Sequence, residues 1–226
     1  MRELNISFLF MIIMCVLLSG GAIHRLHDIQ VQRNVRSFLN RAHKAVKDRD
    51  KAKAEALLSQ YLSIRRDDPN AWAEFARLVD RDNLGDPHDE RRYLVQEQAL
   101  RWNPADTALR RRCLDLAIEH QRFGDAKRHL NVLITTHSNQ SNGQSQTAKV
   151  AELEELTGLC EESLGRFEAA QTCYQKAIAH DSSRVSCYDR LARMYRTRMR
   201  RPTRANETIQ QVIDRNPTSG LAYLSR

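Results

Sequence analysis

The sequence is poor in residues that interrupt helices and in motifs that carry chemistry. Its 226 residues include 8 Gly, 5 Pro and 6% aromatic residues, and Gly and Pro lie almost entirely in short segments between apolar periodic patterns. This scarcity favours an all-α fold. The sequence contains no Gly-rich phosphate loop, no HExxH motif and no GxSxG motif, so none of the corresponding enzyme classes is indicated. We therefore expect a non-enzymatic protein with no cofactor, no metal and no small-molecule substrate.

Cysteine is also scarce and irregularly spaced. The five cysteines form no CxxC pair. Four of them fall at apolar positions of helical patterns: Cys113, Cys160, Cys173 and Cys187. Because neither a disulfide framework nor a zinc site has this spacing, we expect reduced, buried thiols. His24 and His27 lie three residues apart without a third ligand, so they predict no metal site.

Only one stretch is long and apolar enough to cross a bilayer. Residues 4–23 contain no charged side chain, and twenty helical residues span about 30 Å, the thickness of the hydrocarbon core. We predict a transmembrane or signal-anchor segment over 1–24. A cleaved signal peptide is the alternative, because small residues occupy 19–22. The uncleaved anchor is favoured because Glu3 offsets Arg2, and because a densely basic segment follows.

The basic segment is the first of two concentrations of positive charge. Residues 25–53 contain nine Lys or Arg against three Asp, which predicts a basic helical connector over 25–35 and repeats on the cytoplasmic side. Signal cleavage would instead give a secreted or periplasmic protein. The second is a run of five Arg from Arg196 to Arg204. No RNA-binding motif accompanies it, so nucleic acid is disfavoured, although the net charge of +8 keeps electrostatic binding to anionic lipid or RNA as an alternative function.

Residues 151–184 contain two amphipathic helical patterns joined by a short turn. Small residues stand where the two helices would touch, at Gly158, Ala170 and Ala177, while Phe167 and Tyr174 add aromatic positions. Gly165 and its neighbours supply the turn. This 34-residue pattern resembles a tetratricopeptide repeat. It departs from the family at two places, with Glu154 where a Trp is common and Ser182 where a Pro usually ends the second helix.

The same period recurs along the chain. The helix-terminating position falls at Pro69, Pro104, Ser138, Ser182 and Pro217, one repeat apart except for a surplus of about ten residues before Ser182. In the second repeat we expect Tyr93 and Leu94 to point inward. Arg92 occupies a normally small position there, which predicts a looser fit.

The resemblance implies a right-handed α-α superhelix, a tetratricopeptide-repeat solenoid, with an N-terminal transmembrane helix. Beyond the anchor and the connector, the predicted segments are repeats 1–3 over 36–137, a polar linker over 138–149, repeats 4–5 over 150–219 and the start of a further repeat helix over 220–226. Between His137 and Thr147 no residue is apolar, so we expect a mobile linker that divides the array into two blocks.

The resemblance also implies where a partner binds, since the first helices of such repeats line a concave groove. The positions that face this groove are Arg77, Arg81, Arg111, Asp115, Glu155, Glu162, Asp189, Arg193 and Arg196. The implied function is a membrane-anchored scaffold for a protein or peptide partner. Glu155 and Glu162 make the middle of the groove acidic, which would suit a basic peptide. The glutamates of this helix, which also include Glu152, Glu154 and Glu161, are otherwise expected to form a solvated acidic face.

Overall fold

The protein is all-α throughout the part that its computed structural model describes. That part comprises residues 14, 35–82, 90–139, 143–217 and 220, with the backbone alone at 81, 82 and 144. It contains ten multi-turn helices and no strand. They are α1 (35–47), α2 (Lys51–Ile64), α3 (Pro69–Asp82), α4 (Glu90–Trp102), α5 (Thr107–Glu119), α6 (Phe123–Ser138), α7 (Gln144–Ser163), α8 (Phe167–His180), α9 (Val185–Thr197) and α10 (Pro202–Arg215). The predicted all-α fold is confirmed.

Side-chain caps and proline set several helix starts. The Asp50 carboxylate accepts the Lys53 N–H at 3.1 Å before α2, and the Asp106 carboxylate accepts the Leu109 N–H at 2.9 Å before α5. Such caps satisfy backbone donors that the first helical turn leaves unpaired. Pro69 and Pro202 begin α3 and α10, where the missing N–H costs nothing. The helix boundaries therefore follow the predicted repeat period.

Four turns contain the same backbone feature. A residue with positive φ stands in the turns after α1, α5, α7 and α9: Arg49 (59°), Gln121 (56°), Gly165 (74°) and Arg200 (52°). In the first three turns, the next N–H donates to a carbonyl five residues earlier, as from Arg166 to Glu161 at 2.8 Å. This Schellman closure reverses the chain at the end of each first helix. The fourth turn is one residue longer, because the Arg201 N–H reaches back to the Tyr195 carbonyl at 2.7 Å.

The chain forms two compact units, one up to residue 82 and one from residue 83. In the first unit the core includes Leu58 and Phe75, and the Tyr61 hydroxyl donates to Asp68 at 2.7 Å, tying α2 to the start of α3. The second unit holds α4–α10 around two apolar clusters, one built on α4–α7 and one on α8–α10. The division falls before α4 and not at the predicted polar linker.

The predicted linker over 138–149 is wrong for residues 144–149, which form the first turns of α7. The polar composition of this segment predicted a linker, but tertiary packing stabilises this end of the helix. Leu133 of α6 and Leu153 of α7 belong to one buried cluster, and the Gln146 amide lies 3.0 Å from His137 Nδ1. Polar residues thus occupy the exposed side of a helix that packs firmly on its neighbour.

Two predictions about α4 are also corrected. Leu94, expected inside, is 56% exposed. Arg92, expected to loosen the fit, is only 5% exposed and donates to Glu119 at 3.3 Å. A carboxylate within reach lets the long side chain take a position that is usually small. Tyr93 is buried as predicted.

The membrane segment predicted over 1–24 and the connector over 25–35 fall outside the described residues, apart from residues 14 and 35. Within the described part, every helix is too short or too polar to cross a bilayer.

Gly158 tests the close approach of α7 and α8. A Cβ at this position would lie 2.6 Å from Tyr174 Cε1, so Gly158→Ala should destabilise the second unit by about 1–3 kcal/mol through overpacking. Gly124→Ala is the matched control, because a Cβ at Gly124 would have no packing neighbour within 4 Å. There, better helix propensity predicts an unchanged or higher urea midpoint. An unchanged midpoint for Gly158→Ala would contradict the close contact.

Candidate functional site

Helix α7 carries five glutamates, and the structure pairs each of them within the chain. Glu154 and Glu161 are only 8% and 7% exposed, so the predicted solvated acidic face is wrong. The partners are Arg111 for Glu152 at 2.6 Å, Lys176 for Glu154 at 4.0 Å, Arg184 for Glu155 at 2.6 Å, Lys127 and Arg166 for Glu161, and the Tyr174 hydroxyl for Glu162 at 2.7 Å. A buried carboxylate is tolerated only with such partners. The glutamates therefore join α7 to its neighbours on several sides.

The pair between Glu155 and Arg184 is more enclosed than the pair between Glu152 and Arg111, whose side chains are each 40% exposed. The Glu155 and Arg184 side chains are 17% and 23% exposed, and Arg184 also lies 3.5 Å from Asp181. A charge-assisted hydrogen bond of this length in a partly dry environment stabilises the fold more than an exposed pair does. Glu155 is thus a structural residue that fixes the turn between α8 and α9.

Glu162 contacts the second helix of its own pair. Its carboxylate accepts from the Tyr174 hydroxyl, whose ring is fully buried. Burial, followed by the hydrogen bond to Glu162, raises the pKa of Tyr174 above its ordinary value. The phenol therefore stays protonated and remains a hydrogen-bond donor to this carboxylate.

Most of the other predicted groove residues also have partners within the chain. Arg111 bonds both Asp115, at 3.2 Å, and Glu152. Arg193 lies 3.5 Å from Asp189, and Arg196 donates to the Asn206 amide oxygen at 3.4 Å. Arg77 is exposed on α3, in the first unit. The Arg81 side chain lies outside the described residues.

These contacts change the electrostatics of the predicted binding face. Glu155 and Glu162, the carboxylates expected to attract a basic peptide, already serve an arginine and a tyrosine of this chain. On α9 of the second unit, the Arg193 and Arg196 side chains are exposed, and Arg193 lies 3.5 Å from Asp189. This helix carries three arginines, Arg190, Arg193 and Arg196, against one carboxylate, so its net charge is positive.

A polar network between α4 and α6 has no counterpart in the sequence predictions. The Tyr93 hydroxyl donates to Asp125 at 3.0 Å, and the Arg122 guanidinium lies 4.6 Å above the Tyr93 ring while donating to Asp125 at 2.8 Å. His129 Nε2 donates to Glu97 at 2.6 Å, with His129 only 3% exposed. Both contacts join residues 32 apart, close to one repeat length. That constant spacing is the signal that could have revealed them.

This network shifts the ionisation of its carboxyl groups. The hydrogen bond from Arg122 is the main cause that lowers the pKa of Asp125 from 3.8 to about 2, with burial opposing it. The hydrogen bond from His129 likewise lowers the pKa of Glu97. Both groups are therefore held as carboxylates, and they act as acceptors between neighbouring second helices.

The described cysteines are free thiols, as predicted, and three are buried: Cys113, Cys160 and Cys187. Burial raises the pKa of Cys113 and of Cys187 to about 12, and that of Cys160 to about 11. A thiol that stays protonated at neutral pH is a poor nucleophile and a poor metal ligand. In the described ranges, moreover, no cluster of three or more His, Cys, Asp or Glu could hold a metal ion.

The described residues of the second unit line crevices that include the following two. One, of about 260 Å³, lies among α5, α6 and α7, where Arg111 and Glu152 already bond each other. The other, of about 430 Å³, lies among α8, α9 and α10. Its floor is formed by Ile178, Leu191 and Tyr195, and two arginines stand on its α10 side.

Comparisons with known proteins agree with this architecture. Two family models of the tetratricopeptide repeat match the chain, at residues 157–182 and 186–219. Among solved structures, MamA from Desulfovibrio magneticus RS-1, residues 41 to the end, is similar with a TM-score of 0.53 and 17% identity, covering 82% of this chain and 97% of that one. YrrB, described as a tetratricopeptide-repeat protein with an unusual peptide-binding site, has a TM-score of 0.56 and 15% identity, covering 83% and 89%. At these identities the likeness concerns the fold. No curated protein matches the chain in sequence.

The contact between Glu155 and Arg184 predicts that substitution of Glu155 lowers the stability of the fold and does not act through partner binding. Glu155→Gln should lower the free energy of unfolding by about 1–2 kcal/mol, because Arg184 loses its charged acceptor. Glu168→Gln, at an exposed glutamate on α8, is the control and should change it by less than about 0.5 kcal/mol. Urea unfolding measures both. An unchanged stability together with lost partner binding would make Glu155 a ligand residue after all.

The lowered pKa of Asp125 predicts acid sensitivity. Since the folded-state pKa lies below that of the unfolded chain, the stabilisation is fully present above about pH 4 and is lost as the pH falls towards about 2. Asp125→Asn removes this group, so its urea midpoint should be lower than that of the parent at pH 7 but should change less between pH 4 and pH 2. Parallel curves for the two proteins would show that Asp125 does not contribute to the acid transition.

Proposed function

Because this chain is a member of the tetratricopeptide-repeat family, we propose that it is a non-enzymatic scaffold that binds a protein or peptide partner and is held at a membrane by residues 4–23. The observation that carries the proposal is a difference between the first helices in how their charged side chains are paired. The α7 glutamates bond residues of neighbouring helices, whereas charged side chains on other first helices are exposed. Arrays of helical pairs present extended surfaces of this kind to other proteins. The peptide-binding site of YrrB, which has a similar fold, supports the same class of activity.

The proposal assigns a partner site to a first helix in each unit. Arg77 is exposed on α3 of the first unit, and Arg193 and Arg196 are exposed on α9 of the second. Long charged side chains can cover apolar surface while contacting a partner's polar groups. Glu155 and Glu162 of the second unit bond Arg184 and Tyr174 of the same chain. They hold the helices in place and do not contribute free charge.

The membrane part of the proposal rests on sequence alone. The uncharged residues 4–23 are long enough to span a bilayer, and the basic residues that follow would be retained on the cytoplasmic side. In this arrangement the anchor concentrates the repeats near the membrane, so a partner with its own membrane attachment is captured at high effective concentration.

Photo-crosslinking in intact membranes tests both parts. A photoreactive phenylalanine analogue replaces Arg77 or Arg193 in the full chain, with Gln60 and Thr172, exposed on the second helices α2 and α8, as controls. We expect discrete crosslinked proteins from the first-helix positions alone, retained in the membrane fraction after an alkaline carbonate wash.

Three outcomes would contradict the proposal. Equal crosslinking from all four positions would remove the first-helix site, and release of the chain by carbonate would remove the anchor. If no protein is crosslinked and the chain instead binds anionic vesicles or RNA with a steep salt dependence, the electrostatic alternative replaces the scaffold.

A further inference from the structure

The arginines around the start of α10 differ from the cations that pair with α7. Arg111, Lys127 and Arg184 each pair with a glutamate of α7. No such ion pair forms at the turn after α9 or in the first turn of α10, although both are described in full. The exposed arginines there are Arg198, Arg200, Arg201 and Arg204. The fold therefore leaves a concentrated positive charge without an internal counterpart at this place.

Arg204 connects this charge to the 430 Å³ crevice among α8, α9 and α10. Arg204 and Arg215 both line the crevice from α10, and Leu191 and Tyr195 of α9 form part of its floor. The Arg215 guanidinium donates to the Tyr188 hydroxyl at 3.2 Å, which steadies its position. The single carboxylate in the lining belongs to α10 as well, so cations exceed carboxylates. A crevice of this volume is large enough to accept a ligand side chain, and its lining combines apolar residues with the two arginines.

The spacing of the two arginines determines how long an extended ligand must be to contact both. Arg204 and Arg215 are eleven residues apart on one helix, which corresponds to about 16 Å at 1.5 Å per residue. An extended peptide rises about 3.3 Å per residue. Five residues of extended chain therefore match the separation of the two arginine positions along α10.

We propose that the crevice among α8, α9 and α10 is a second docking site, which binds an extended acidic peptide segment. In this complex, two carboxylates about five residues apart contact Arg204 and Arg215, and an apolar side chain between them enters the crevice. Arg198, Arg200 and Arg201 attract further acidic residues beyond the Arg204 end. The crevice also includes α9, but its two arginines lie on α10 and are not among the exposed side chains of the first-helix site.

Other anionic partners fit this surface less well. Single-stranded nucleic acid is held by aromatic rings that stack on bases, but Tyr188 and Tyr195 are buried, at 1% and 3% exposure. A membrane surface is bound through inserted apolar side chains as well as cations. Across residues 167–217, all of them described, no large hydrophobic side chain is exposed. The combination of cations with a recessed apolar floor favours a peptide.

The test uses the full-length chain in detergent micelles and a fluorescein-labelled peptide of twelve residues, with two glutamates five positions apart and a leucine between them. Fluorescence anisotropy should show saturable binding. Arg204→Gln and Arg215→Gln should each raise Kd about three- to tenfold, as expected for loss of one charged contact. Arg101→Gln, at an exposed arginine on α4, is the control and should leave Kd within about twofold, because surface changes elsewhere are nearly neutral.

A second variant distinguishes binding in the crevice from attraction by its charge. Ala179 is exposed on α8 and lines the crevice, so Ala179→Gln fills it without changing the charge and should weaken binding of the leucine peptide. A peptide with serine in place of leucine should bind the parent more weakly and should not respond to Ala179→Gln. Urea midpoints of all variants, close to that of the parent, confirm that each is folded.

Several results would overturn the proposal. Absence of peptide binding would do so, as would equal binding by parent, Arg204→Gln and Arg215→Gln. If the arginine variants weaken binding but Ala179→Gln and the serine peptide have no effect, the surface is a non-specific charge patch. If a twelve-nucleotide RNA or phosphatidylserine vesicles bind more tightly than the peptide with the same arginine dependence, the surface recognises nucleic acid or membrane. The photo-crosslinking experiment at Arg77 and Arg193 tests the first-helix site independently of these measurements.

Discussion

The contact between Gly158 and Tyr174 is the constraint on which the second unit depends most. The tyrosine ring lies so close to the glycine that no side chain fits between them, and its hydroxyl ends on Glu162 of the same helix as the glycine. This contact sets how closely α7 and α8 approach. Once α7 is held there, its other glutamates reach cations on neighbouring elements, namely Arg111, Lys127 and Arg184. Dense packing and ionic pairing thus reinforce each other around one helix.

The same arrangement explains where the chain has charge to offer. Carboxylates of α7, α4 and α6 accept hydrogen bonds from other elements of the chain, as Glu155 does from Arg184 and Asp125 from Tyr93. Many arginines are instead exposed, and the chain carries an excess of eight positive charges. Breaking an ion pair that is shielded from water leaves an uncompensated charge and destabilises the fold, whereas exposed cations steer an approaching partner. The separation of these two uses of charge lets the repeats keep one internal geometry while their surfaces differ.

The repeat period made the helix pairs predictable, because each pair depends on residues close in sequence. Gly158 and Tyr174 are sixteen residues apart and stand at family positions, so their role follows from the pattern. The charge partners could not be derived in this way, since Glu152 and Arg111 are 41 residues apart and Glu155 and Arg184 are 29 apart. A row of glutamates is typical of a solvated face until the neighbouring helices are in place. The prediction for residues 144–149 was wrong for the opposite reason: their composition is that of a loop, but the packing of α7 on α6 extends the helix through them.

The turn between α9 and α10 has a consequence for how such arrays change. It keeps the left-handed residue of the other turns, here Arg200, yet accommodates one residue more before the chain re-enters a helix. The helices on either side stay in register, with Ala205 and Val212 fully buried. A hairpin tip of this kind is a place where length and composition can vary at little cost to the fold. New recognition chemistry can therefore accumulate at the tips of the hairpins while the stacked interior stays under the strict packing rules of the repeat.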